Sequence, residues 1–95
     1  VDNRRRFVAE LRKQKGRLRP SIRHAKDGCC CAIGLAGELF ECAPNSFEYE
    51  AVGRYLGVNG HRIADIFDHN FENDDGPDRA IDKIEEFLGV APLAE

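Results

Sequence analysis

Apolar residues recur at helical spacing along most of this chain and divide it into five helical segments. Phe7, Val8 and Leu11 mark one face of a first helix over residues 3–14, whose other faces are mostly Arg and Lys, with Gly16 as its stop. Residues 16–28 hold Gly16, Pro20 and Gly28 with a loose alternation at Leu18 and Ile22, which predicts a loop or a small irregular β-hairpin. From Cys30 to Glu41 the apolar positions Ala32, Ile33, Leu35, Ala36, Leu39 and Phe40 spread around most of a helix, the pattern of an element enclosed by others. This segment, 30–41, is the expected central helix. Gly34 and Gly37 each cost it about 1 kcal/mol of helix propensity, which makes sense where neighbours approach the backbone closely. Pro44 ends it.

Asn45 and Ser46 can cap a third helix, with Glu48 three residues after Asn45 as in a capping box. Its expected buried face is Phe47, Ala51, Val52, Tyr55 and Leu56, closed by Gly57-Val58 in a Schellman stop. Asn59-Gly60 turns into a fourth helix lined by Ile63, Ile66, Phe67 and Phe71. Gly76-Pro77 opens a fifth, with Asp78 at its positive end, the stripe Ala80, Ile81, Ile84, Phe87 and Leu88, and Gly89 as stop. The prediction is an all-α domain of about five short helices around the central apolar helix, with room for a small irregular β-hairpin between the first two.

Composition narrows the class. The 95 residues are 42% hydrophobic and 33% charged, and six Phe supply enough apolar surface to oppose chain entropy. The chain is too short for two independent cores, so residues 1–95 are expected to form one domain, with 90–95 as a loose tail. No stretch approaches the roughly 20 apolar residues of a membrane span. Arg4-Arg5-Arg6 is followed by Phe7-Val8-Ala9 and then by charge, unlike the opening of a secretory signal. Cys29, Cys30, Cys31 and Cys42 make a poor disulfide framework, and a reducing, cytoplasmic location is the expectation.

The cysteine run sits where the central helix should begin, and a helix N-terminus can lower a thiol pKa. Cys29, Cys30 and Cys31 are therefore candidate reactive thiols, with His24, His61 or His69 as base, set against the alternative of small apolar fillers. Along a continuous helix Cys31 and Cys42 would lie about 16 Å apart, too far to share a zinc ion, and Cys29, Cys31 and His24 lack a fourth ligand. His61, Asp65 and His69 share a helical face, but the two histidines are about 12 Å apart along it, so a solvated face is the simpler reading. Between the last helices, Asp68, Asn70, Glu72 and Asp74 fall at positions 1, 3, 5 and 7 of a calcium-loop pattern, but position 12 is Arg79 instead of Glu. An EF-hand is rejected; weak cation binding by an acidic loop is the residual expectation. Phosphate-binding glycine motifs and a nucleophile elbow are missing from the sequence. No catalytic residue, resident metal or cofactor is expected.

A net charge of −3 hides a division: ten bases against three acids leave residues 1–27 at +7, and four bases against 14 acids leave the remainder at −10. The basic residues Arg4, Arg5, Arg12, Lys15, Arg17, Arg19 and Arg23 form a candidate interaction surface. A basic segment can neutralise phosphates, and the short turn before His61 is similar to that of a helix-turn-helix, but Asp65 and Asp68 would repel nucleic acid. Pairing of the basic and acidic parts, within the fold or between copies, is the preferred reading.

The residues Lys15-Gly16-Arg17-Leu18-Arg19, Asp27-Gly28-Cys29-Cys30-Cys31-Ala32-Ile33-Gly34-Leu35 and Ile63-Ala64-Asp65-Ile66-Phe67-Asp68-His69-Asn70, with the closing helix Ile81 to Leu88, resemble a family of small uncharacterised proteins encoded in phages, other mobile elements and actinobacterial genomes. That family shows a basic Gly-containing segment, a C-x-x-G-x-L helix start and an Asn-Asp-Gly stretch before the last helix. The triple Cys and the longer acidic loop at 70–76 depart from it. The resemblance implies architecture and a mobile-element origin, and transfers no catalytic residue. The expected function is an accessory protein-binding module whose partner is another protein or a second copy of itself. Nucleic-acid binding through residues 4–26 and a thiol enzyme or metal-binding protein at Cys29–Cys31 are the alternatives; no membrane partner is expected.

Overall fold

A computed structural model of the chain describes residues 3–20, 23–73 and 76–90, the side chains of 72 and 73 excepted. The domain is all-α: α1 (Asn3–Lys13), α2 (Ala32–Leu39), α3 (Glu48–Leu56), α4 (Gly60–Asn73) and α5 (Pro77–Leu88). The run Ala32 to Gly37 of α2 is wholly buried, and α1, α3 and α4 each pack against it, as its all-round apolar pattern requires. Phe7, Leu11, Leu35, Ile63, Phe67, Ile81 and Ile84 close the core around it.

α2 is shorter than its apolar pattern at both ends. Cys31 is extended and precedes the first turn. Cys30 pairs with Leu18: its N–H donates to the Arg17 carbonyl at 3.0 Å, and its carbonyl accepts from the Arg19 N–H at 2.8 Å. This is a lone parallel bridge, because the two segments run in the same direction, and it takes the place of the small hairpin expected there. At the far end Cys42 N–H reaches back to the Gly37 carbonyl at 2.8 Å around Glu41, which holds φ at +58°. α3 and α5 use glycine for the same left-handed stop, Gly57 at φ +72° and Gly89 at φ +69°. The following Val90 bonds to the Glu85 carbonyl at 3.2 Å and packs against the core. The loose tail expected over 90–95 therefore excludes Val90, and residues 91–95 lie outside those described.

The third helix corrects its sequence reading. Asn45 Oδ1 accepts the Phe47 N–H at 2.9 Å, and Phe47 itself becomes the residue preceding the helix. The buried stripe is Glu48, Val52 and Leu56, one residue along from Phe47, Ala51 and Tyr55. Glu48 thus turns inward instead of reaching back as a capping-box carboxylate. Phe47 and Tyr55, expected inside, are 70% and 49% exposed.

Two glycines of α2 admit this arrangement. A Cβ on Gly34 would collide with the Arg23 carbonyl, and one on Gly37 with the Glu48 carboxylate. Gly34→Ala is expected to destabilise the domain by about 3 kcal/mol in urea unfolding, the upper end of overpacking costs. Gly16→Ala, whose new carbon meets nothing within 4 Å, should change stability by less than about 0.5 kcal/mol.

Candidate functional site

The basic segment is largely answered from within the fold. Arg12 reaches Asp82 at 3.0 Å and Glu85 at 3.1 Å, Lys15 reaches Asp78 at 2.9 Å, and Arg17 grips both oxygens of Glu38 at 3.2 and 2.9 Å. Arg19 donates to the carbonyls of Leu18 and Gly16 at 2.7 and 3.3 Å. Arg4 donates to the carbonyls of Leu56 and Leu88, both at 2.8 Å, and so closes the ends of α3 and α5 together, where the helix dipoles favour a cation. Arg5 is exposed on α1. Arg4, Arg12, Lys15, Arg17, Arg19 and Arg23 belong to the candidate interaction surface, for which pairing of basic and acidic parts is the preferred expectation. Most of them serve acidic or carbonyl groups of the same chain, although each exposed ion pair contributes only about 0.2–1 kcal/mol.

Arg23 belongs to the least expected feature, a carboxylate with no solvent access. Glu48 is fully buried under Gly37. His24 Nε2 lies 3.0 and 2.9 Å from its two oxygens, and Arg23 donates to it at 3.1 Å and to the Asn45 carbonyl at 2.7 Å. The Arg23 guanidinium also sits 5.0 Å above the Tyr49 ring, which stacks on His61 at 4.4 Å. His61 Nε2 is 3.3 Å from Glu50, whose carboxyl is held below its ordinary range first by its own backbone N–H and then by that imidazole. The cluster ties residues 23–24 to α2, α3 and α4. Among the described residues no buried side-chain polar atom lacks a hydrogen-bond partner.

The cysteines divide by burial. Cys30 and Cys31 are buried, Cys29 and Cys42 half-buried, and all four are free thiols. Burial pushes the Cys30 thiol up to about 11. Burial also raises Cys31, outweighing the N–H groups of Ile33 and Gly34 that face its sulfur at the start of α2. The helix-terminus effect that makes these thiols candidates is present at Cys31 and outweighed by desolvation, which favours the alternative of small apolar fillers for Cys30 and Cys31. The candidate cation loop is corrected as well: Asp68 and Asn70 are still within α4, and Asn70 Nδ2 donates to the Ile66 carbonyl at 2.8 Å. Asp74 lies outside the described residues and the Glu72 side chain is not among those described. Among the described residues no cluster of three His, Cys, Asp or Glu side chains is placed to hold a metal ion.

The displaced register of α3 leaves an aromatic face in solvent. Phe47, Ala51 and Tyr55 follow one another at four-residue intervals, and Tyr55 stacks on Phe40 at 4.8 Å with the rings 4° from parallel. Arg6 lies 5.7 Å from the centre of the Phe40 ring. Two clefts flank Tyr55, one of about 520 Å³ lined by Asn3, Glu41, Cys42, Ala51, Arg54 and Tyr55, the other of about 440 Å³ lined by Arg6, Leu39, Phe40, Glu41 and Tyr55. The sequence reading missed this face because alternation between two adjacent stripes is invisible to a 3.6-residue period. Compared with protein-family models, curated proteins and solved structures, the chain matches none.

Glu48→Ala should cost about 3 kcal/mol in urea unfolding, because it strands Arg23 and His24 and empties a packed site. Glu48→Gln, which keeps the shape and an acceptor, should cost clearly less; equal losses would show that the carboxylate itself, and not the side-chain volume, carries the effect. The thiols give a second test. With Cys30 near 11, roughly one Cys30 in a thousand is thiolate at pH 8, so iodoacetamide should modify Cys29 well before Cys30 or Cys31 in the native protein, read by mass spectrometry. Labelling of Cys30 should climb as pH approaches its pKa, the direction a raised thiol requires.

Proposed function

We propose that this chain is a small accessory protein of mobile-element type that acts in the cytoplasm as a protein-binding module, gripping another protein or a second copy of itself. The observation that carries this reading is the solvent-facing aromatic pair Phe47 and Tyr55, with a cleft on either side of Tyr55. Large aromatic side chains beside concavities are the anchors from which protein interfaces draw most of their energy. Charge remains at its rim in Arg6, Glu41 and Arg54, whereas the more strongly basic segment is occupied by intramolecular pairs.

Nucleic-acid binding ranks lower for the same reason: Arg12, Lys15, Arg17 and Arg23 already meet carboxylates, and a phosphate would have to displace them. Thiol chemistry ranks lower because Cys30 and Cys31 are desolvated. Among the described residues no helix is long and apolar enough to cross a membrane.

A photo-crosslinking side chain at Ala51 is expected to capture a discrete polypeptide, itself or another. The yield should fall about tenfold in a Phe47→Ser/Tyr55→Ser background, the size of losing an interface anchor. The same probe at exposed Lys26 should capture none. Equal capture from the two positions, or no loss in the double variant, would overturn the reading.

A further inference from the structure

We propose that Cys29 and Cys30 form an oxidation site for a hydroperoxide. Cys29 takes up the oxidant, Cys30 closes a disulfide onto it, and the closure unlatches the loop 25–29.

The pairing follows from where the three adjacent thiols stand. Cys29 is half-buried, Cys30 and Cys31 are buried, and all three are free. The Arg17 guanidinium interacts with the sulfurs of both Cys29 and Cys30. Its Nε donates to the Gly28 carbonyl at 2.8 Å and its Nη atoms hold Glu38, so it is fixed beside the two thiols. The Cys31 sulfur has other neighbours, the Ile33 and Gly34 N–H groups at the start of α2 and the charges of Asp68 and Glu48. Cys29 is therefore the thiol of this pair that a small oxidant meets first. Asp27 positions it, accepting the Cys29 N–H at 3.0 Å and a second hydrogen bond from its thiol. Burial pushes the Cys30 thiol up to about 11, so Cys30 does not compete for the oxidant and serves only the second step.

Both steps balance with hydrogen peroxide. The Cys29 sulfur attacks one peroxide oxygen, the O–O bond breaks, and the thiol proton leaves with the departing hydroxyl as water, giving a sulfenic acid. The Cys30 sulfur then displaces the sulfenic hydroxyl: the S–S bond forms, the S–O bond breaks, and the Cys30 proton leaves in a second water. Two electrons pass from the sulfur pair to the peroxide.

The ring so formed contains the peptide that joins the two residues. Consecutive Cα atoms lie about 3.8 Å apart, closer than the roughly 4.4–6.8 Å of an ordinary disulfide, so the ring closes only when that peptide twists. Both polar groups of the peptide are occupied. The Cys29 carbonyl accepts the Ala25 N–H at 2.9 Å, and the Cys30 N–H donates to the Arg17 carbonyl at 3.0 Å. Turning the peptide costs both bonds. The first closes the loop 25–29, and the second is half of the lone bridge to Leu18. His24, which holds Glu48, directly precedes Ala25, so the loosened loop borders the buried carboxyl group. A strained disulfide is readily reduced, which makes the change reversible.

Peroxide treatment of the native wild-type chain, then alkylation of the remaining thiols and tandem mass spectrometry, tests the pairing. The expected product has lost two hydrogens, with Cys31 and Cys42 alkylated and Cys29 and Cys30 not. In Cys30→Ala, Cys29 should instead pass on to the sulfinic acid, and in Cys31→Ala the wild-type product should persist. Amide hydrogen exchange tests the latch. Oxidation should speed exchange at Ala25 and Cys30 by about tenfold, the size of a lost hydrogen bond, leave Ile84 of α5 unchanged, and be reversed by dithiothreitol. A wild-type disulfide that uses Cys31 or Cys42 overturns the site. So does a Cys29 that peroxide leaves untouched, or one that reaches the sulfinic acid with no disulfide formed. A Cys29–Cys30 disulfide with the Ala25 amide still protected overturns the latch.

Discussion

Glu48 holds the first position of the stripe by which α3 packs on α2, and burying a carboxyl group there obliges the chain to bring hydrogen-bonding partners to it. Arg23 and His24 meet that demand, and their arrival lays residues 23–24 across α2. The Arg23 backbone can come so close only because Gly34 carries no side chain, and the Glu48 carboxylate fits only because Gly37 carries none. Arg23 then roofs Tyr49, and Tyr49 stacks on His61, so the same carboxylate indirectly fixes where α4 lies. Removing one partner of such a group costs more than the pair contributes, because the remaining charge has lost water and found nothing instead. The orientation of three helices and one long connection thus depends on a single buried carboxyl group being satisfied.

The same register decision creates the exposed face. A helix with two adjacent stripes containing large side chains can bury only one of them, and here the stripe led by a carboxylate goes inward while that led by Phe47 goes outward. Sequence charge, by contrast, turns inward on itself. The basic opening finds its counter-charges on α2, α3 and α5, and little of it remains to meet a partner. Polarity of the sequence and polarity of the surface are therefore different things in this domain.

Much of the architecture was readable before the fold. The apolar periods placed all five helices, identified the enclosed one, and marked Gly57 and Gly89 as stops, because these depend on local backbone and burial rules. The pairs that join distant segments were not readable. Nothing local couples Arg12 to Asp82 or Arg4 to Leu88. Glu48 was misassigned for a different reason: a glutamate three residues after Asn45 satisfies a capping rule, and the rule is silent on a carboxylate drawn inward by an Arg-His pair outside the helix. The thiols illustrate competing effects, since helix-start and burial terms act on Cys31 with opposite signs and only the fold sets their balance.

The Arg4 clasp has a bearing on how the chain comes into being. Its two acceptors lie 52 and 84 residues further along, and the counter-charges of Arg12 lie 70 and 73 residues away. On the ribosome α1 emerges ahead of α2–α5 and can begin to pack on α2, but its contacts with α5 close only once Leu88 has left the exit tunnel. Such long-range closure slows folding and sharpens cooperativity, because no fragment that lacks α5 holds the full set of contacts that retain α1. A transcript broken before α5 would yield a product in which Arg12 and Lys15 have lost their carboxylates and Arg4 one of its two carbonyls, and proteases would see it as unfinished.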